Sequence, residues 1–237
     1  MSTDFTFLLL TATSVAFIHT LAGPDHYLPF IMISKARNWS LAKTSWFTVL
    51  CGLGHVGGSI VLGFIGIAFG IALAKLELIE SVRGNLIAWL FTAFGMVYLV
   101  WAIYRVLRGK KHTHIHYHEN GNMHVHEHNH HSEHMHIHEE KTKKNITPWI
   151  LFTIFVFGPC EPLIPILMFS AAKHNWLQLG VVTSVFSIIT ILTMLAVVLV
   201  ASFGIKLFPM KIMEKYSHVM AGSTILFCGL GMVFLGL

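Results

Sequence analysis

Charged side chains are what this sequence has least of: they make up 11% of its 237 residues, against 54% hydrophobic. A soluble globular domain carries about 25% charged residues. A deficit this large excludes a surface built mostly against water and points to lipid. Acidic residues are scarcer than basic ones, 11 against 16, for a formal charge of +5. In a soluble chain such an excess suggests nucleic acid. Here the basic residues stand at the ends of apolar runs, where membrane topology accounts for them, and no nucleic-acid partner is expected. Cysteine is also scarce: Cys51, Cys160 and Cys228 lie far apart in apolar stretches, with no CxxC pair and no disulfide framework. The N-terminal run carries Asp4 and no basic residue ahead of it, so no cleavable signal peptide is expected. The chain has no nucleotide-binding motif, so nucleotide drive would need another subunit.

What is abundant is long apolar sequence. Runs of the roughly 20 residues that cross a bilayer fall near 5–34, 42–74, 84–107, 147–170, 177–205 and 217–237. The fold expected is therefore an all-α integral membrane protein with six transmembrane helices. Loops 1–2, 3–4 and 5–6 hold thirteen of the Lys and Arg residues; the opposite side holds Lys75, Arg83 and Lys173. The positive-inside rule then places loop 3–4 in the cytoplasm and both termini outside, in a plasma (inner) membrane with the bilayer as the first partner.

The two halves resemble each other. Residues 23–34 read GPDHYLPFIMIS and residues 158–170 read GPCEPLIPILMFS; Arg37-Asn38-Trp39 follows the first and His174-Asn175-Trp176 the second. Three helices per copy is an odd number, so the second copy runs inverted. The organisation expected is a 3+3 inverted repeat: residues 1–107, a His-rich cytoplasmic loop at 108–146, and residues 147–237. Inverted repeats with broken helices near the midplane are a transporter signature.

Asp25 and Glu161 are the acids set deep in apolar runs, each just after a Gly-Pro. A carboxylate at the bilayer centre costs about 2.5–3.5 kcal/mol on insertion scales and usually faces the bundle interior. A structural hydrogen bond between helices is the plain alternative, weaker for two acids at matching positions. Prolines add bare carbonyls: Pro24 and Pro29 free those of Thr20 and Asp25, while Pro159, Pro162 and Pro165 free those of Phe155, Gly158 and Glu161. Inside a membrane such groups must line a cavity or find a partner. His19 precedes His26 by two helical turns, and the Gly23-Pro24 break brings His19, Asp25 and His26 within reach of one another. Imidazole and carboxylate suit Ni²⁺, Co²⁺ and Zn²⁺. His55 lies among Gly52, Gly54, Gly57 and Gly58, small residues that let helices approach, and either completes that shell or packs structurally. Cys160 aligns with Asp25 across the repeat and is either a soft ligand or inert; Cys51 and Cys228 read as packing, and His174 and His218 as interfacial.

The segment His19-Thr20-Leu21-Ala22-Gly23-Pro24-Asp25-His26 resembles the HPxxGxDH signature of the HupE/UreJ nickel permeases. It is also similar to the shorter HxxxxDH signature of the wider nickel/cobalt transporter superfamily and the UreH-like membrane proteins. Thr20 stands where the first has Pro, and the His-to-Asp spacing is one longer than in the second. The resemblance implies transport of a divalent metal, nickel or cobalt first and zinc next, through His19, Asp25 and His26. Gly158-Pro159-Cys160-Glu161-Pro162 is similar instead to the helix breaks of the CcdA/DsbD thiol-disulfide carriers, which use one cysteine from each repeat; Asp25 stands where the first of these would be.

The loop carries twelve histidines: His112, His114, His116, His118, His124, His126, His128, His130, His131, His134, His136 and His138. Such a run captures transition metals with little specificity, as a cytoplasmic buffer or simply as a tolerated linker. The main expectation from sequence is a secondary transporter of nickel or cobalt, not an enzyme. His19, Asp25, His26, His55, Glu161 and Cys160 form its metal site, and proton coupling releases the ion. The loop's position favours export over an uptake permease. A thiol-disulfide carrier and a membrane metal sensor or accessory protein are the alternatives, and a homo-oligomer is left open.

Overall fold

A computed structural model describes residues 3–108, 112–117, 123–128, 147–172, 175–206 and 211–236. Among them the chain is helical apart from one ribbon. Helix α1 (Thr3–Ala22) ends at Gly23-Pro24, a short 3-10 turn covers Pro24–His26, and α2 (Leu28–Ala36) follows. Then come α3 (Leu41–Ala68), α4 (Leu73–Leu107), the short α5 (Thr147–Phe157) and α6 (Leu163–Ala172), α7 (Trp176–Lys206) and α8 (Lys211–Leu235). Five helices, α1, α3, α4, α7 and α8, are long and apolar enough to cross a membrane; α5 and α6 are shorter apolar helices. Side chains such as Phe7, Trp46, Val97, Leu177 and Phe234 stand exposed along them, as a lipid-facing surface requires.

Proline and capping chemistry sets the element ends. Pro24 has no N–H to continue α1, and the Tyr27 hydroxyl donates to the Leu21 carbonyl (3.2 Å) near the helix's open end. Ser40 caps α3 by accepting from the Lys43 N–H (3.2 Å), after Asn38 turns the chain at φ 50°. In the second half Pro159 and Pro162 separate α5 from α6, and the Leu163 N–H donates to the Cys160 carbonyl (3.0 Å).

The helices interlock across the halves of the chain. α4 lies along α8, α1 against α7, α3 against both α5 and α7, and α2 against α8. One buried cluster holds Phe30, Phe91, Phe155, Met194 and Ile225; another holds Ala16, Val56, Cys160, Leu163 and Phe186. At one end of the bundle the Arg37 guanidinium donates to Thr147 Oγ1 (2.7 Å) and sits 6.0 Å from the ring centres of Tyr98 and Trp101. His218 bridges Tyr98 Oη (2.9 Å) and Arg105 Nη1 (3.3 Å). A guanidinium only donates, so Nε2 accepts and Nδ1–H donates to the tyrosine.

Two differences from the sequence reading matter. α4 begins at Leu73, so Glu80 and Arg83 lie inside a helix rather than in a connecting loop. Within the His-rich stretch, β1 (His112–Tyr117) and β2 (Met123–His128) pair antiparallel, with His112 opposite His128, His114 opposite His126 and His116 opposite His124. Alternation of histidine with Thr, Ile and Val is a strand period. His118, His130, His131, His134, His136, His138 and His174 lie outside the described residues.

Candidate functional site

The helix breaks of both halves open onto one cavity of about 540 Å³, a volume in the range of small-ligand sites. Its polar wall includes His19, Asp25, His26, His55 and Glu161, with Ser81 and Asn85 of α4, and Phe155 and Met232 contribute apolar surface. His19 comes from the last turn of α1, Asp25 and His26 from the 3-10 turn, and His55 from the middle of α3.

The first break is built around His26. Its Nδ1 lies 3.0 Å from the Gly23 carbonyl and 3.2 Å from Asp25 Oδ1. Both are acceptors, so Nδ1 carries the proton and Nε2 keeps its lone pair. Gly23 is required by close approach: a Cβ there would fall 2.6 Å from His26 Nδ1 and 2.9 Å from Asp25 Oδ1. The His26 ring stands edge-on to His19 (centroids 5.0 Å apart) and to His55 (4.9 Å). One ring nitrogen from each of the three lies within 4.8 Å of the others. His26 and His55 are buried, at 3% and 4% exposure.

The second break is latched from the first half. The Cys160 N–H donates to Ser59 Oγ (2.9 Å) on α3. Ser59 in turn donates to Glu80 Oε1 (2.8 Å), and Arg83 pairs with Glu80 Oε2 (2.7 Å). Arg83 Nη2 also reaches the Gly158 carbonyl (3.3 Å), which Pro162 leaves without a helical donor. A bare carbonyl legible in the sequence thus finds a guanidinium. The sequence reading missed this latch because Glu80 and Arg83 were placed outside the helices; opposite charges three residues apart were the available signal.

Of the residues singled out from sequence, the structure brings His19, Asp25, His26, His55 and Glu161 to one cavity. Cys160 is not on its wall; the residue is fully buried, at 0% exposure, against the second cluster. Cys51 and Cys228 are buried within the first, and all three thiols are free.

These breaks, one of which bears a Gly-Pro-Cys, both face a common cavity. Residues 28–236 match the family described as the cytochrome c biogenesis protein transmembrane region, and the chain belongs to that family. Comparison with curated proteins and with solved structures gives no match. The family match corrects the expectation of a nickel/cobalt permease and with it that of nickel or cobalt transport, in either direction. The permease resemblance rested on residues 19–26, one helix end, whereas the match begins at Leu28 and runs through α2 to α8. A short His-Asp-His segment records local donor chemistry; the pattern of apolar helices and breaks over the whole chain records ancestry.

Proposed function

We propose that this protein is a thiol-disulfide carrier of the cytochrome c biogenesis class that works through one intramembrane thiol, Cys160. The observation that carries the reading is the position of Cys160: it sits in the Gly-Pro-Cys break of the second half, inside the matched region, with its backbone held by Ser59. Asp25 occupies the corresponding place in the first half, so no cysteine pair joins the two breaks. Exchange is therefore intermolecular. The Cys160 thiolate attacks a partner disulfide; the Cys160–partner bond forms and the partner's second sulfur leaves as thiolate and takes up a proton. A dithiol partner then attacks Cys160 Sγ, releasing the first partner reduced, and closes its own disulfide to restore the Cys160 thiolate. Because Cys160 is fully buried here, exchange requires residues 158–162 to move away from α3. This is a carrier's role and not an enzyme's.

The architecture that goes with it is six crossings in a 3+3 inverted repeat, with α5 and α6 together forming the crossing that corresponds to α1 and α2. Reciprocal packing supports this: α1 meets α7 as α5 meets α3, and α2 meets α8 as α6 meets α4. The basic residues put the His-rich stretch in the cytoplasm of a plasma (inner) membrane and both termini outside.

In cells lacking the protein, covalently haem-bearing c-type cytochrome on haem-stained gels is expected to fall. The wild-type chain and the Cys51→Ser/Cys228→Ser variant restore it, and Cys160→Ser does not. Restoration by Cys160→Ser at wild-type membrane levels contradicts the reading.

A further inference from the structure

We infer that His19, His26 and His55 form a resident binding site for one first-row transition-metal cation, a site independent of the Cys160 thiol. Three observations carry this. First, one ring nitrogen from each histidine lies within 4.8 Å of the others. A tetrahedral ion bound at about 2.0–2.1 Å spaces its donors roughly 3.4 Å apart, so closure on an ion needs only small ring movements. Second, Nε2 of all three rings is buried and without a hydrogen-bond partner. A buried polar atom left so costs about 1–3 kcal/mol, and three such atoms on neighbouring rings call for a partner. Third, His26 is arranged as a ligand with an outer-shell support: its Nδ1–H points to the Gly23 carbonyl and the Asp25 carboxylate, which fixes the ring and leaves Nε2 free.

The donor set states the class of ion. Three neutral imidazoles select a borderline transition metal over Mg²⁺ or Ca²⁺, and the affinity order places copper highest among the divalent ions. Asp25 acts here as a positioning residue, orienting His26 and offsetting the ion's charge. The adjoining cavity leaves room for a further ligand. The ion is a fixed component held between α1, the first break and α3, three elements that it ties together. One break thus offers a thiol and the other an imidazole cluster.

The test uses the full-length chain in detergent with the twelve histidines at 112–138 replaced by alanine, since that stretch binds metal by itself. Co²⁺ is the probe, read by its ligand-field absorption and by equilibrium dialysis, with Zn²⁺ as competitor; X-ray absorption then counts imidazoles on the bound ion. One tight equivalent with a nitrogen shell of three imidazoles is expected. Asp25→Asn weakens it by about 10–100-fold, the usual effect of losing an orienting neighbour. His26→Ala and His55→Ala weaken it further than that. No tight equivalent in the parent protein, a shell with fewer than two imidazoles, or tight binding that survives His55→Ala overturns the assignment. The parent keeps every residue of α1 to α8, so its binding and spectrum depend on no substitution at the site. Neither readout involves thiol exchange, so loss of the metal site leaves the carrier reading standing, and the reverse holds too.

Discussion

Arg83→Met is expected to destabilise the protein by about 3–5 kcal/mol, the cost of leaving a buried carboxylate without its partner. Glu80 is 2% exposed and holds Arg83 at 2.7 Å. The same guanidinium also reaches the Gly158 carbonyl, so its loss strips a donor from the second break as well. Replacing both charges, Glu80→Leu with Arg83→Met, is expected to recover most of the stability, because an apolar pair of similar volume is often neutral. What the double variant does not recover is the Gly158 contact. A chemical or thermal midpoint in detergent measures the first effect. Equal midpoints for Arg83→Met and the parent contradict the buried-pair account.

Gly58→Ala is expected to cost about 1–3 kcal/mol, the range for forcing extra volume into a packed interior. A Cβ at position 58 would fall 2.6 Å from the Val156 carbonyl oxygen, and backbone gives way less readily than a side chain. The relief available is a shift of α5 away from α3. That shift carries Gly158-Pro159-Cys160 with it and lengthens the Cys160–Ser59 bond, which is 2.9 Å in the native arrangement. Maleimide labelling of Cys160 in the folded protein is therefore expected to accelerate, alongside the fall in midpoint. Labelling at the parent rate would show that α5 is not held by this contact.

Much of the helical frame is legible in the residues, for a plain reason. Lipid tolerates few polar groups, so long apolar runs and Pro breaks mark the crossings and their interruptions directly. The first break was readable because Gly23-Pro24 and Pro29 cannot continue a helix and because Asp25 is costly there. The start of α4 was not readable: Glu77, Glu80 and Arg83 look like a loop until Glu80 is paired with Arg83 and Ser59 from α3. Neutralisation across helices is a tertiary fact. His55 shows the same limit. Its glycine-rich surroundings said that some helix comes close, and only the fold says that α5 is that helix and that His26 faces the imidazole. The nickel/cobalt expectation failed because eight residues describe a donor set and not a lineage; the match from 28 to 236 describes the lineage.

The central claim is that Cys160 carries disulfide exchange, and the most direct measurement is capture of its mixed disulfide. Cells expressing the Cys51→Ser/Cys228→Ser variant are quenched in acid, alkylated and resolved without reductant, and the adducts are identified by mass spectrometry. The account predicts a reductant-sensitive adduct joining Cys160 to a thiol protein, absent when Cys160→Ser is added. No adduct under conditions where known thiol carriers are captured, with the protein folded in the membrane, would contradict it.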